Sequence, residues 1–306
     1  MEAAPTVAIP RRVPVPVLRP SLDLCKPTGV TLEAGSRVLV ASDQGGVGKA
    51  LAGRLAKLGV EVLALEDYAE TDAVVALLQA WRDEGPVQGV YWLPALDREP
   101  EIGALDVDAW REALRRRVKL LSHTLRTLYD DLDRPGSFVI AGTRLGGRHG
   151  YDEAGALAPM GGGVSGLAKA IQRERPGALV KVVDFAAGRQ TAALADQLID
   201  ETLRDPGAVE IGWENGRRWT VGLSEEPPAA GPGLALTPQS VFVVTGAAGS
   251  IVSAILQDLT AAAHGGAFHL LDLAAAPDPA DPDLLRFHTD RDGLKRDLFE
   301  RIKARG

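Results

Sequence analysis

The chain contains two stretches in which an apolar run leads into a glycine-rich turn and then into a helix-forming segment. The first covers residues 37–48 (RVLVASDQGGVG) and the second covers residues 241–252 (VFVVTGAAGSIV). This order is typical of the opening of a nucleotide-binding α/β unit, because the glycines let a strand turn tightly into a helix N-terminus. Two such openings predict two related units. Only residues 240–306 are left for the second unit, so we expect it to be incomplete.

Composition and charge limit the class of protein. The chain has 306 residues and a net charge of -7, with its lysines and arginines scattered, which argues against a nucleic-acid partner. A single cysteine, Cys25, excludes an intramolecular disulfide and fits a reducing cytosol. No apolar stretch follows Arg11 and Arg12, and the histidines lack metal-ligand spacing. We expect a cytoplasmic protein with no membrane partner and no metal site.

Four regions differ in composition. Residues 1–36 are rich in proline and valine and predict an extended N-terminal arm or an edge strand. Residues 37–223 alternate strand and helix patterns, which predicts a parallel sheet covered by helices on both faces. Residues 224–239 have the composition of a linker, and residues 240–306 open the second unit. The predicted fold class is α/β: a truncated Rossmann-like doubly wound parallel sheet, followed by the opening β-α-β of a second Rossmann-like unit.

The individual elements follow from hydrophobic period and turn residues. The helices are expected at 49–58, 71–81, 106–132, 164–173, 190–203 and 251–263, with a charged helical tail at 289–304. The strands are expected at 37–41, 60–65, 87–93, 137–141 and 179–185, in a hairpin at 209–223, and from 240 and at 267–271. Asn215 and Gly216 lie at the tip of the hairpin, because this pair favours a tight turn.

The two glycine-rich turns differ in how well their sequences suit the binding of a phosphate group. The second, Thr245-Gly246-Ala247-Ala248-Gly249-Ser250-Ile251, is similar to the T-G-x-x-G-x-[IL] opening of short-chain dehydrogenases. In the first, Ser42 and Asp43 replace the early glycine, and a carboxylate there would repel a pyrophosphate. A P-loop would need a glycine at Asp43 and a hydroxyl at Ala50, so an ATPase is excluded on that motif.

A reductase of this type needs a tyrosine followed four residues later by a lysine, both on one helical face. In the helix after the fourth strand Ser165 stands at the acid's position, four residues before Lys169, and Thr143 could replace the usual serine. We therefore assign no catalytic residue in this chain. None of its four tyrosines has the required partner: Tyr68, Tyr91, Tyr129 and Tyr151.

The chain resembles the ketoreductase region of type I polyketide and polyunsaturated fatty acid synthases. Three features carry the resemblance. Only one helix fits between the strands at 60–65 and 87–93, residues 162–176 (GGVSGLAKAIQRERP) look like the structural subdomain of iterative bacterial synthases, and residues 243–251 (VVTGAAGSI) look like the start of the catalytic subdomain. The resemblance covers about residues 30–306.

This resemblance implies a structural part of a region that reduces a β-ketoacyl thioester on an acyl carrier protein. The cofactor would be NADPH, with NADH possible, and the partners would be the carrier protein and the remainder of the synthase, through which the chain could be oligomeric. The family's catalytic residues follow the second turn, and this chain ends before them, so we expect the fragment to be inactive. Asp272 would accept a ribose hydroxyl and repel a 2′-phosphate. The predicted cofactor-binding residues are Thr245, Gly246, Gly249, Ser250, Ile251 and Asp272.

Two other functions fit the same residues. The first unit could be a self-contained, atypical short-chain dehydrogenase that uses Lys169 with an unusual acid. Alternatively, the chain could be a non-catalytic module that docks a carrier protein or a subunit through residues 1–36 or 289–306.

Overall fold

A computed structural model describes residues 11–68, 70–188, 190–227, 235–275 and 278–304. The chain divides into two compact units, residues 1–228 and 229–306, which are described separately below. Part of the predicted linker, residues 228–234, and the first ten residues of the predicted arm lie outside the described residues.

The first unit contains an eight-stranded sheet in the order β1-β8-β7-β6-β5-β4-β2-β3. The neighbouring strands from β3 to β7 pair in parallel, and β8 and β1 pair antiparallel at one side. Only β3 lies beyond β2, so the half of the sheet on that side is short. This arrangement confirms the predicted Rossmann-like α/β fold class. The strands are β1 (Arg11–Arg19), β2 (Arg37–Ala41), β3 (Glu61–Leu65), β4 (Gly89–Trp92), β5 (Phe138–Thr143), β6 (Leu179–Phe185), β7 (Glu210–Glu214) and β8 (Arg217–Glu226).

Helices cover both faces of this sheet. On one face α1 and α6 pack through side chains such as Leu51 and Leu198, and on the other α2, α4 and α5 pack through side chains such as Leu78, Leu125 and Ala168. Strands β4 and β5 are consequently buried along their whole length, as central parallel strands must be. The helices are α1 (Val47–Lys57), α2 (Thr71–Glu84), α3 (Val107–Leu114), α4 (Leu120–Thr127), α5 (Gly161–Glu174) and α6 (Thr191–Leu203).

The proline-rich segment at the start of the described chain forms the edge of the sheet. Strand β1 pairs with β8 from Arg11 opposite Glu226 to Arg19 opposite Arg218. Proline suits an outermost strand, because it cannot donate to a further neighbour. At the β7–β8 hairpin, Asn215 and Gly216 have φ values of 50° and 71°, which is the left-handed turn that their sequence predicts.

The helix predicted over 106–132 is shorter and less regular than expected, because its helical residues run from 107 to 127. A π-helical turn, Arg115–Lys119, separates α3 from α4 and turns Arg117 into the protein. The Arg117 carbonyl oxygen accepts a hydrogen bond from Trp92 Nε1 at 2.8 Å, and its guanidinium donates to the carbonyl oxygen of Asp97 at 3.3 Å. Trp110, which lies within the predicted helix, is 40% exposed. The interruption is explained by these long-range contacts, which a helical period does not encode.

The described residues of the second unit form a parallel pair of strands and three helices. These are β9 (Val241–Thr245), α7 (Ser250–Ala263), β10 (Ala267–Leu271), α8 (Pro282–Phe287) and α9 (Arg291–Lys303). The rings of Phe242 and Phe268 stack across the strand pair with centroids 4.7 Å apart. Helix α8 was not predicted; Asp281 caps it by accepting a hydrogen bond from the Asp283 backbone N–H at 2.8 Å.

The described residues form neither a membrane-spanning helix nor a metal-binding group. None of the helices there has the length and apolar character needed to cross a lipid bilayer. Nor do three histidine, cysteine or acidic side chains in that part of the chain form a group that could hold a metal ion.

Candidate functional site

The second glycine-rich turn has the backbone that a phosphate-binding turn requires. Gly246 follows β9 with a φ of 66°, and Gly249 is the extended residue directly before α7. A Cβ at Gly249 would lie 3.2 Å from the carbonyl oxygen of Gly246, whereas the space beside Gly246 is open. Ser250 and Ile251 begin α7 and are exposed, Ile251 to 76%. The turn therefore leaves the N-terminal end of a helix accessible to an anionic group.

Asp272 joins this turn from the neighbouring strand. Thr245 pairs with Leu271 at the ends of β9 and β10, so the residue that follows Leu271 reaches the turn. The Asp272 carboxylate accepts hydrogen bonds from the backbone N–H groups of Ala248 and Ala274, both at 2.8 Å. These hydrogen bonds lower the pKa of Asp272 and keep it ionised. The structure thus brings together all six residues that the sequence predicted for cofactor binding.

The first glycine-rich turn is occupied by the chain's own carboxylates. Asp43 Oδ1 accepts a hydrogen bond from the Gly48 backbone N–H at 2.8 Å, and Asp97 Oδ1 accepts one from the Gln44 backbone N–H at 2.6 Å. Backbone N–H groups at these positions are the donors that a phosphate would need. Asp97, which follows β4, also lies 3.5 Å from Arg116. The sequence indicated the obstacle at Asp43 but gave no sign of Asp97.

Tyr68 lies at the same edge of the sheet, beside the first turn. Its hydroxyl donates to the backbone carbonyl oxygens of Ser42 at 2.8 Å and Leu65 at 3.0 Å. Burial raises the pKa of Tyr68, and it raises the pKa of Tyr91 as well. Neither phenol is therefore suited to donate a proton to a substrate near neutral pH.

The residues that could have replaced the missing catalytic set have structural partners instead. The Thr143 hydroxyl donates to Asp184 Oδ1 at 3.0 Å and is fully buried. The Ser165 hydroxyl donates to the carbonyl oxygen of Gly161 at 3.2 Å. The Lys169 ammonium lies 3.0 Å from Glu210 Oε1 in an ion pair. No arrangement of a proton donor beside an activating lysine results from these contacts.

Asp184 anchors the loop that follows β5. Its buried carboxylate accepts hydrogen bonds from the backbone N–H groups of Leu145, Gly147 and His149 at 2.6, 2.6 and 2.9 Å, in addition to the one from Thr143. Burial raises the pKa of Asp184, while these four donors favour its charged form. The loop is thereby fixed across the carboxyl ends of β5 to β7. No sequence motif indicated this role.

His149 belongs to this loop and lines a cavity of about 280 Å³. The side chain is 6% exposed, and its ring lies beside the Ile211 backbone without a well-formed hydrogen bond from either nitrogen. Burial lowers the pKa of His149, so its imidazole is neutral at neutral pH. Tyr151 and Lys169 line the same cavity, but the pairing of Lys169 with Glu210 satisfies the only ammonium group there.

The overall fold was compared with known proteins. No family model matches the chain, and no curated protein matches it. Among solved structures, a multidomain structure of a keto acid-selecting NRPS module with adenylation, ketoreductase and pseudo Asub domains is 14% identical, with a TM-score of 0.59 over 92% of this chain. The chain shares the fold of ketoreductase domains.

Two further solved structures agree with this comparison. An N-terminal ketoreductase from the macrolactin assembly line is 11% identical, with a TM-score of 0.54 over 88% of this chain. The first ketoreductase of the tylosin PKS is 18% identical, with a TM-score of 0.53 over 85% of this chain. The chain covers 27% of the NRPS structure, 54% of the macrolactin structure and 50% of the tylosin structure. The predicted likeness to ketoreductase regions is confirmed at the level of the fold.

Proposed function

We propose that the first unit is a non-catalytic structural part of a ketoreductase region, and that the second unit supplies the first nucleotide-binding turn of the catalytic part. One observation carries this proposal. The turn of the first unit holds Asp43 and Asp97 against its own backbone N–H groups, whereas the space beside Gly246 in the second turn is open. The first turn thus has two backbone N–H groups held by carboxylates, whereas the second has one, that of Ala248 with Asp272, and keeps the helix start at Ser250 and Ile251 exposed.

The complete region would reduce a β-ketoacyl thioester, presented on an acyl carrier protein, with hydride from a nicotinamide. This part of the proposal is supported by the shared fold and by the residues of the sequence resemblance. The carrier protein and the remainder of the synthase are the proposed partners. The chain's own contribution to the chemistry is to bind and orient the dinucleotide.

The described residues fit a nicotinamide dinucleotide and discriminate between its two forms. Gly246, Gly249 and the start of α7 would accommodate the pyrophosphate, and Asp272 would accept hydrogen bonds from the adenosine ribose. Because Asp272 stays ionised, it would repel the 2′-phosphate of NADPH. We therefore propose that this turn favours NADH over NADPH.

Cofactor binding can be tested by titrating NADH and NADPH into the full chain and following the fluorescence of the reduced nicotinamide. Asp272→Ala should weaken NADH binding about tenfold, since a charge-assisted hydrogen bond is lost, and should remove the preference over NADPH. The matched control is Asp43→Ala, which frees a donor in the first turn and should change neither affinity. Absence of binding, or binding that responds to Asp43→Ala alone, would contradict the proposal.

A second assay separates the structural role from the alternative of a self-contained dehydrogenase. We expect the chain to show no turnover of a β-ketoacyl thioester with either reduced cofactor. The ion pair between Lys169 and Glu210 disfavours the alternative, because the lysine is engaged and has no phenol beside it. Turnover that is lost in Lys169→Gln would overturn the structural role and support the alternative.

A further inference from the structure

Two adjacent cavities form a cleft along the carboxyl edge of the first unit's sheet. The cavities have volumes of about 390 Å³ and about 520 Å³. They share Arg144, Ala187 and Gly188 as lining residues, so they are two parts of one cleft with Arg144 at their junction. Neither the proposed cofactor turn nor the residues considered for catalysis line this cleft.

Arg144 is a half-buried arginine that has no anionic partner within 4.0 Å among the described residues. Its guanidinium donates one hydrogen bond, from Nη1 to the carbonyl oxygen of Ala186 at 2.9 Å. Among the buried and half-buried arginines of the described residues, it is the one with no carboxylate within 4.0 Å; each of the others is paired, as Arg117 is with Glu99 and Arg218 is with Glu201.

This lack of a partner has an energetic consequence. Burial lowers the pKa of Arg144, which means that its charged form is imperfectly compensated where it lies. An arginine nevertheless remains protonated in a protein, so the charge persists at the centre of the cleft. A partly desolvated guanidinium with unused donors is the group best suited to bind a carboxylate or phosphate in a bidentate manner.

The walls of the cleft indicate what is attached to the anion. The larger cavity is lined by Leu96, Leu157 and Ala158, and by Glu99, whose carboxylate is paired with Arg117 at 3.4 Å. Arg98 also lines it, and this exposed side chain has no carboxylate within 4.0 Å among the described residues. The smaller cavity is lined by apolar side chains and by amides: Phe185, Leu194, Trp213, Gln190, Gln197 and Asn215. An apolar chain attached to the anion would pack against the apolar side chains of the larger cavity. A polar group attached to it could form hydrogen bonds with the amides of the smaller cavity.

We propose that this cleft binds a small organic anion, a carboxylate or a phosphate that carries an apolar substituent, with Arg144 as its charged anchor and Arg98 as a second cation. The site is distinct from the proposed nucleotide turn and belongs to a unit for which we propose no chemistry. All the lining residues of the cleft belong to the first unit, so a test of this site is independent of the test of the proposed nucleotide-binding turn.

The test is isothermal titration calorimetry of the full chain with hexyl phosphate and hexanoate, with hexanol as the neutral probe. Saturable binding of either anion, and no binding of hexanol, is expected. Arg144→Gln should weaken the binding about tenfold or more, since a charge-assisted bidentate contact is lost. Arg144→Lys should lie between the two, because it keeps the charge but not the planar fork.

A matched control and a second variant keep the test decisive. Arg173→Gln removes an exposed arginine on α5 that lines neither cavity, and should leave the affinity unchanged. Arg98→Gln serves as the second variant if Arg144→Gln does not fold. Because the Arg98 side chain is exposed, its replacement should leave the fold intact, and we expect it to weaken anion binding several-fold. Absence of saturable binding to the wild-type chain, equal binding of hexanol, or equal losses in Arg173→Gln and the cleft variants would overturn the proposal.

Discussion

Glu201 is expected to be the most sensitive charged residue of the first unit. Its fully buried carboxylate accepts hydrogen bonds from Lys181 Nζ at 3.0 Å, from Arg218 Nε and Nη2 at 2.7 and 2.9 Å, and from Trp213 Nε1 at 3.0 Å. These partners come from β6, β8 and β7, so one side chain on α6 links three strands. Glu201→Ala would leave two buried cations without this partner.

The cost of that variant follows from the burial of the cations. Removing one partner of a buried ion pair costs about 3–5 kcal/mol, because the other charge stays desolvated. Burial already lowers the pKa of Lys181 although Glu201 is beside it. Its ammonium keeps the backbone carbonyl oxygens of Glu201 and Arg204 as acceptors, which limits the loss. We expect Glu201→Ala to lower the free energy of unfolding by about 4 kcal/mol and the melting temperature by about 12 °C, for a unit of this size.

The assay can observe the first unit alone. All five tryptophans lie within residues 1–228, so urea unfolding followed by tryptophan fluorescence reports that unit. Glu225→Ala is the matched control: Glu225 also pairs with an arginine, Arg12 at 2.9 Å, but both side chains are more than half exposed. The control should cost less than about 1 kcal/mol.

A double variant tests the physical reason. If the loss in Glu201→Ala comes from uncompensated cations, then replacing Lys181 by methionine in the same chain should recover part of it. Lys181→Met/Glu201→Ala is thus expected to be more stable than Glu201→Ala. The reasoning is refuted if Glu201→Ala costs no more than Glu225→Ala, or if the two substitutions in the double variant are simply additive.

Three further predictions concern single contacts. The hydrogen bonds from Arg19 hold the pKa of Asp205 far below its usual range. The stability advantage of the wild type over Asp205→Asn should therefore be complete at pH 7 and should shrink as the pH falls below about 5. Urea titrations at pH 7, 5 and 3.5 measure this difference, and a constant difference would be contrary evidence. Asp184→Asn should lower the free energy of unfolding by about 2–3 kcal/mol, since three backbone donors lose a charged acceptor. It should also speed hydrogen exchange in residues 144–160, and unchanged exchange would count against this. Gly147→Ala should cost about 2 kcal/mol or more in the same urea assay, because its Cβ would lie 2.6 Å from the carbonyl oxygen of Trp213 at a φ of 87°; a neutral result would disprove that constraint.

The sheet of the first unit could be predicted because its signal is local. Central parallel strands are apolar on both faces, so runs such as residues 179–185 stand out without any knowledge of their partners. The turn residues Asn215 and Gly216 likewise fix their own backbone. Lys181 shows the limit of this reasoning. It lies fully buried in β6, and its partner Glu201 follows twenty residues later on another element, a pairing that no local pattern specifies.

The candidate site could be predicted only where one segment forms it. The turn at 246–251 and Asp272 follow two neighbouring strands of one β-α-β unit, and the structure brings them together. In contrast, Asp97 reaches the first turn from the segment that follows β4, 53 residues further along the chain than Gln44. Asp184 in the same way receives donors from a loop that precedes it by about forty residues. Such contacts depend on the order of strands in the sheet, which the sequence gives only indirectly.

The two openings also differ in what surrounds their strands, and this difference bears on the proposed function. In β2 the residues Val38–Ala41 are fully buried, because β3 and β4 flank the strand and helices cover both faces. In β9, Val241 and Val243 are 66% and 67% exposed, and among the described residues the strand pairs with β10 alone. A parallel strand is stable when both its faces and its edges are covered. The edge of β9 that corresponds to the β4 side of β2 is therefore suited to receive a further parallel strand. This unpaired edge, together with the exposed apolar face that carries Val241 and Val243, supports the proposal that the second turn works as one part of a larger catalytic sheet.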